Sequence, residues 1–495
     1  MHADTVTQLI PERSSAEGFD LFVAVDRSCA TPLGRQIEDQ VRNAIRSRRL
    51  HAGRELPSTR ALARDLAVSR GVVVRAYAQL AEEGYLQLRQ GAAPSVREPR
   101  TDSPAAAACK RGVGRACKVR YDLRPHLPEA SLFPRHAWLR SLRHAVTTAG
   151  NADLTYSGSR GLEQLRTEVS AYLGRARGIA AGPDQIVITA GCTHSLNLVF
   201  HMLARRGAGR IGLENPSDVM VQTIAERAGL NPVGISLDED GILVGELRAA
   251  AVPAVVVSAG HQFPTGSVLA RERQVALMRW AATVGAVVVE DEYDAALRPD
   301  WTAISAQDGL AHERVVYLGS TGKTLSPAVR IGWAVLPKAL ATAFAEEVVT
   351  SVLQISAIEQ LAFADFLRRG EFDRHLRQMR LVFRRRRAAV AAAFEGILPQ
   401  VEVHEAAAGL NMLIELPCVE LEQAAVRQAN SRGIRLETLS RHTLPGYRGP
   451  AGLLIGVGAL QDGAISHVVE ELAQVLAAVG ALTGGRRPLA AAALR

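Results

Sequence analysis

Six short apolar runs recur along the chain with helical segments between them: Ile186–Thr189, Arg210–Leu213, Val255–Ser258, Val287–Glu290, Val315–Leu318 and Ile331–Leu336. Short runs rich in Val and Ile fit buried strands. Their alternation with helices predicts an α/β layer around a largely parallel sheet. In such sheets ligands gather beyond the carboxyl ends of the strands. The residues that follow each run are therefore where chemistry is expected.

Four of these stretches carry reactive or ligand-binding residue types. Thr189-Ala190-Gly191-Cys192-Thr193-His194 leads into a helix expected to start near Ser195. N–H groups at such a start can cradle a phosphate, and a plain βα turn reads equally well. Ser258-Ala259-Gly260-His261-Gln262-Phe263-Pro264-Thr265-Gly266 offers polar side chains to a ring oxygen or a carboxylate. Glu290-Asp291-Glu292-Tyr293-Asp294 ends a strand. A buried carboxylate there can keep a pyridinium nitrogen protonated, and a tyrosine two residues on can reach a phenolic oxygen. Acidic clusters are more often solvated loops, but this one directly follows the apolar Ala286–Val289.

The fourth stretch holds Lys323. Of 58 Lys plus Arg, only Lys110, Lys118, Lys323 and Lys338 are lysine. Arginine stays protonated and cannot form an imine, whereas a desolvated lysine can act as a nucleophile. Lys323 follows Ser320-Thr321-Gly322, and Arg330 lies just before the next apolar run. The arrangement suits a phosphate-bearing aldehyde held as a Schiff base. A solvated loop lysine is the ordinary alternative, and the scarcity of lysine elsewhere weighs against it.

The first part of the chain reads differently. Leu33, Ile37, Val41 and Ile45 form one stripe of a helix after Thr31-Pro32, with Arg35, Arg42, Arg46, Arg48 and Arg49 mostly off it. Ser58 caps a second helix over Thr59–Ala67, and Ser69 a third over Arg70–Glu83, closed by Gly84. The third helix is expected to turn Val73, Ala76, Tyr77 and Leu80 inward and Ser69, Arg70 and Val72 outward. Short strands at Tyr85–Leu88 and near Ser95-Val96 follow, joined through Arg89-Gln90-Gly91. Three helices and a hairpin make a winged helix-turn-helix, whose third helix can enter the major groove of double-stranded DNA. Residues 1–120 carry 20 Lys plus Arg against 13 Asp plus Glu, and the remainder 38 against 37, so the net charge of +8 sits almost wholly in this head.

At 495 residues the chain has room for two or three domains. Five cysteines without a framework or metal-like spacing predict a reducing cytoplasm and no metal. No charged start followed by an apolar stretch marks a secretory leader, and no apolar run approaches membrane-spanning length. The boundaries read as a lead segment at 1–30, the winged helix at 31–97, a flexible linker at 98–120 and a body at 121–482. The body divides into a large part at about 150–340 and a small C-terminal α+β part at about 345–482. Within it, Leu132-Phe133-Pro134 precedes a helix carrying Trp138, Leu139, Leu142 and Val146. A long Arg-rich helix is expected around Asp373–Ala393, strands at Met412–Leu416 and Leu453–Val457, a helix around Ile465–Val479, and fraying over 484–495.

The pattern P-S-T-R-x-L-A-x-x-L-x-V-S-R-x-x-V-x-x-A-Y-x-x-L-x-x-E-G-Y-L resembles the DNA-binding domain of GntR-type repressors. That resemblance assigns DNA contacts to Ser58, Thr59, Arg60, Ser69, Arg70, Val74 and Arg75, with packing the alternative for Val74. Residues 121–480 resemble the fold type I aminotransferase domain of pyridoxal-phosphate enzymes. Together the two halves resemble the MocR/GabR family of transcriptional regulators. The resemblance implies pyridoxal 5'-phosphate on Lys323, Asp291 at its ring nitrogen and Tyr293 at its phenolic oxygen. It implies phosphate contacts from Arg330, Ser320, Gly191, Cys192 and Thr193, a further cofactor contact from Gln262, and Tyr156 reaching a partner subunit's phosphate. Arg441 is the candidate for an effector's carboxylate, or else a surface cation. Family members pair, so a homodimer is expected, sensing an amine, an amino-acid-like effector or the cofactor itself. A catalytically active aminotransferase with an accessory DNA-binding head is the alternative. Three positions depart from the family pattern: Ser217-Asp218 stands where a glycine and a ring-stacking tyrosine are usual, Gly322 replaces a serine, and Gly158-Ser159 replaces Asp-Pro.

Overall fold

The structure is a computed structural model that describes residues 23–29, 31–47, 49–89, 92–97, 119–155, 158–298, 303–304, 311–351, 354–401, 403–404 and 409–481. It divides into two compact units, residues 1–116 and 117–495. The expected lead and linker, the wing tip at Gln90-Gly91, Tyr156 and the last residues lie largely or wholly outside the described residues.

In the head, α1 (Leu33–Arg46), α2 (Thr59–Asp65) and α3 (Arg70–Glu82) precede an antiparallel hairpin of β1 (Leu86–Gln87) and β2 (Ser95–Val96). Ile37, Val41 and Ile45 of α1 and Val73, Ala76, Tyr77 and Leu80 of α3 are buried in one core, as their spacing dictates. Ser58 caps α2 through the Ala61 N–H, but α2 ends at Asp65 because Ala67 turns left-handed (φ 51°). Ser69 stands at the N-cap of α3 without a capping side-chain bond. Val72, expected outward, is half-buried against the core.

Arg42, expected off the apolar stripe, is buried and makes a two-pronged pair with Glu83 at 2.8 and 2.9 Å, with Asp39 as a second partner. This pair ties α1 to the end of α3. Glu83→Ala leaves a buried guanidinium short of its main partner. It is expected to destabilise the head by about 1–3 kcal/mol, read as a lower denaturation midpoint of the full chain.

The body is built on an eight-stranded sheet in the order β4-β11-β10-β9-β8-β5-β6-β7. Its strands are β4 (Ile186–Thr189), β5 (Arg210–Asn215), β6 (Asn231–Asp238), β7 (Gly241–Ile242), β8 (Ala254–Val257), β9 (Val287–Glu292), β10 (Val315–Ser320) and β11 (Gly332–Val335). β5, β6, β8, β9 and β10 pair in parallel, β11 runs antiparallel between β4 and β10, and β7 folds back on β6. All six apolar runs are strands. β6 escapes the apolar-run reading because Asn-Pro-Val-Gly-Ile-Ser-Leu-Asp is interrupted by polar and small residues, as suits a strand near the sheet edge.

Helices cover both faces: α4 (Arg135–Thr148), α5 (Glu163–Arg177), α6 (Cys192–Arg205), α7 (Val219–Arg227), α8 (Val244–Ala250), α9 (Arg271–Val284), α10 (Lys338–Thr350) and α11 (Ala357–Arg368). On α4, Trp138 is buried but Leu139 and Val146 are exposed, because α4 turns its Trp138, Ser141 and Ala145 face inward. The long α12 (Glu371–Ile397) leads to a small layer. There, strands β12 (Val403–His404), β13 (Asn411–Leu416), β16 (Ala451–Gly456) and β15 (Glu437–Thr438) form an antiparallel sheet under α13 (Val419–Ser431) and α14 (Ile465–Ala478).

One feature of this layer was hidden in the sequence. Residues 121–122 form β3, which pairs in parallel with β14 (Ile434–Arg435), and Leu123 enters the core of the small layer. The chain then runs as a strap toward the main sheet. It lies so close to β16 that a Cβ on Gly456 or Gly458 would sit 2.2 Å from the Arg124 carbonyl oxygen or 2.0 Å from that of Leu127. Among the described residues, no helix is long and apolar enough to cross a membrane.

Candidate functional site

The carboxyl ends of β4, β9 and β10 open onto one cleft of about 1060 Å³, its solvent-filled mouth included. Eight residues expected at a site line it: Gly191, Cys192, Thr193, Asp291, Tyr293, Ser320, Lys323 and Arg330. They come from three separate stretches of chain, and the sheet order β4-β11-β10-β9 brings those stretches side by side.

At one end, α6 begins at Cys192 rather than near Ser195, with Gly191 as its N-cap at φ 113°. The first N–H groups of a helix lack intrahelical acceptors and carry the positive end of its dipole, so this turn faces an anion favourably. β11 packs against the turn so tightly that a Cβ on Gly332 would lie 2.6 Å from the Gly191 Cα. Ser320, hydrogen-bonded to the Cys192 thiol, and Arg330, whose charge reaches His194, stand beside the same turn. Arg330 holds a left-handed backbone (φ 53°), which follows from the tight turn closing the Lys323 loop.

Asp291 lies in the middle. It is buried, and its Oδ1 has no hydrogen-bond partner among the described residues. Burial pushes its carboxyl up to about 7, with the Cys192 thiol, Asp218, Asp294 and Lys323 as lesser influences. Glu214, buried in the same lining and bonded to the Ser258 N–H at 3.0 Å, is also pushed up to about 7 by burial. Between the ordinary carboxylate range and about pH 7, the folded chain keeps protons that the unfolded chain has released. Stability from these groups is therefore complete below the ordinary range and is lost as pH rises through about 7. Accordingly, Asp291→Asn in cofactor-free protein is expected to flatten the fall of melting temperature between pH 5 and 8. An unchanged slope would place the proton elsewhere.

Lys323 is partly buried, and its Nζ donates to the His126 carbonyl oxygen at 2.8 Å. Burial lowers the pKa of its ammonium, with Asp218, Asp294 and Asp291 among the groups pulling the other way. Lowering favours the neutral, nucleophilic amine. The Tyr293 hydroxyl lies 2.9 Å from His261 Nδ1, which is 3.0 Å from both Asp294 carboxylate oxygens. All three side chains are buried, so this row fixes the tyrosine ring against the cleft.

Other expected residues are placed elsewhere. Gln262 is buried but outside the cleft lining. Its amide spends its bonds on the carbonyls of Pro216 and Phe263 and on Thr265, bracing the loop rather than facing a ligand. Arg441 is exposed and also outside the lining. Its neighbour His442 turns inward instead, holding Ser217, Gln222 and Val219 from below. Tyr156 is outside the described residues.

The residue that sequence reading missed is His126. It lines the cleft at a left-handed backbone (φ 66°), with its ring 4.1 Å from Phe263 and edge-on to Tyr293 at 5.2 Å between centroids. The strap positions it: its N–H donates to Asn411 Oδ1 at 3.1 Å, and Glu129 beyond it pairs with Arg386 at 3.0 Å. Only the flanking Pro125 and Pro128 marked this segment in the sequence as fixed rather than loose.

In the head, Ser58, Arg60, Ser69, Arg70 and Arg75 are exposed and Thr59 is half-buried. Val74 is 43% exposed, which excludes packing as its explanation. These residues lie at the start of α2 and along the first turns of α3, where a helix entering the major groove presents its side chains.

Comparison with known proteins places both halves. Residues 129–439 match the family described as aminotransferase class I and II, and residues 33–96 match bacterial regulatory proteins of the gntR family. The chain is 29% identical over 458 residues to the HTH-type pyridoxine biosynthesis transcriptional regulator PdxR of Corynebacterium glutamicum, covering 92% of this chain and 99% of that protein. It is 28% identical to the probable rhizopine catabolism regulatory protein MocR of Rhizobium meliloti, covering 89% and 95%. Among solved structures, an archaeal alanine:glyoxylate aminotransferase superposes with a TM-score of 0.66 at 23% identity, over 75% of this chain and 93% of that one. The aspartate aminotransferase of Thermus thermophilus with maleate gives 0.63 at 20%, over 76% and 97%.

Proposed function

The chain belongs to the aminotransferase class I and II family and carries a GntR-type head in front of that domain, and from this we propose that it is a pyridoxal-phosphate-dependent transcriptional regulator. The GntR-type head implies DNA binding, and the fold of the body is that of pyridoxal-phosphate aminotransferases. In the proposal the body holds the cofactor, an amine-bearing effector meets it there, and the head binds an operator in double-stranded DNA. The observation that carries the reading is the meeting, in one cleft, of a partly desolvated Lys323, an Asp291 oxygen without a partner and the bare N-terminus of α6.

Those residues fit the group. Pyridoxal phosphate supplies an aldehyde that condenses with a primary amine and a ring that draws electrons. Lys323 would hold it covalently, Asp291 would accept from the ring nitrogen, and Tyr293 would donate to the ring oxygen. Ser320, Arg330 and the Gly191–Thr193 turn would hold the phosphate. Asp218 takes the place of a stacking ring, which weakens the hold on the cofactor face and favours sensing over sustained turnover. Pairing through the body would bring two heads to two half-sites, a geometry suited to a regulator of genes.

The test is direct. Purified full-length protein is mixed with pyridoxal phosphate, scanned in the near-visible range, reduced with borohydride and digested for peptide mapping. A new band with the reduced adduct on Lys323 is the expected result. An adduct spread over Lys110, Lys118 and Lys338, or no band, would remove the cofactor from the proposal and leave the DNA-binding head.

A further inference from the structure

We infer, resting on the reading of this cleft as the cofactor and effector site, that the effector it admits is a primary amine with a second cationic end, and not a carboxylate-bearing amino acid. The residues that face such a ligand are Asp218 and His126.

The cations that line the cleft are Lys323 and Arg330. Lys323 is the reactive amine, and Arg330 stands with Ser320 and the α6 turn at the anion end. Arg441, the cation that could have met a carboxylate, is exposed and outside the lining. Among the described lining residues, no cation remains for an effector's carboxylate.

Negative and accepting groups do remain. Asp218 caps α7 with one oxygen, accepting from the Met220 N–H at 2.9 Å. Its other oxygen lies 3.5 Å from His126 Nε2, too far for a good hydrogen bond. Both ring nitrogens of His126 are shut off from solvent and make no hydrogen bond among the described residues. Burial first, and then Lys323, His442 and His261, push this imidazole well below its ordinary value, so at neutral pH it is uncharged and one nitrogen accepts. The main-chain oxygen of the same residue already receives Lys323 Nζ. A ligand amine approaching Lys323 therefore meets the accessible Asp218 carboxylate, with the uncharged His126 ring beside it. An ammonium would pair with that carboxylate, whereas a ligand carboxylate would be repelled by it and find no cation to replace it. His126 is also held in a left-handed backbone that a non-glycine residue adopts at a cost, and such strain persists where the surrounding structure enforces it.

The experiment uses the full-length chain loaded with pyridoxal phosphate and three amines of equal chain length: 1,4-diaminobutane, butylamine and 4-aminobutanoate. Near-visible absorbance and melting temperature are followed during each titration. The diamine is expected to half-saturate at about tenfold lower concentration than butylamine, with 4-aminobutanoate weakest. Asp218→Asn keeps the helix cap, since asparagine caps as well as aspartate. It is expected to shrink the gap between diamine and butylamine to within about threefold. A 4-aminobutanoate response equal to or stronger than the diamine's, or a gap that survives Asp218→Asn, overturns the inference. Protein that takes up the cofactor but answers none of the three overturns the effector class and leaves the cofactor reading standing. Protein that takes up no cofactor overturns both.

Discussion

Lys323→Ala is expected to abolish the near-visible band that pyridoxal phosphate gives with the protein and to leave nothing for borohydride to fix. The reason lies in both chemistry and geography. Arginine supplies nearly every other cation of the chain and cannot form an imine. Of the two lysines among the described residues, Lys323 and Lys338, only Lys323 lines the cleft, where burial lowers its pKa toward a reactive amine. The residual, non-covalent affinity would come from the phosphate end and Asp291, so the dissociation constant is expected to rise about 100-fold, close to 3 kcal/mol. Equilibrium dialysis measures it. Operator binding by the head is expected to persist, because the variant leaves α3 untouched, while any response of that binding to amines is lost. A variant that still forms the band would mean that the cofactor attaches elsewhere.

Arg70→Ala is expected to have the second large effect, on DNA. Arg70 opens α3 and is exposed, at the turn that a recognition helix presents to the groove. Loss of a base contact costs about 1–3 kcal/mol per head, or about 5- to 150-fold in affinity. Loss of a phosphate contact alone lowers affinity evenly across sequences and reduces the salt slope by about one. Duplexes selected from a random library by the full-length protein, then measured by gel shift at several salt concentrations, separate the two. Fold and cofactor binding should be unchanged, because Arg70 packs against no core. If selected and random duplexes bind the variant as they bind the parent, α3 is not the reading helix.

The sites were legible to different depths. Lys323, Asp291 and Tyr293 stood out because scarcity, a preceding apolar run and fixed spacing are all properties of sequence. The strand before each residue then carried it to the sheet end without further information. Gln262 failed that test: a glutamine can turn either way, and the loop's own carbonyls took its amide. Arg441 and His442 show the same limit, since adjacent residues on a one-turn helix face different directions and only packing decides which turns inward.

By itself, the sequence determined the division into a basic three-helix head and an α/β body, the six main strands and the place of Lys323 just beyond one of them. All of these follow from periodicity, local composition and the chemistry of single side chains. Tertiary structure alone decided that the strap from Tyr121 joins the small layer, that the strap delivers His126 beside Lys323, and that His126 and Asp218, 92 positions apart, share one wall. The physical reason is that such contacts are set by strand order and close backbone approach, here at Gly456 and Gly458, which leave no periodic trace along the chain.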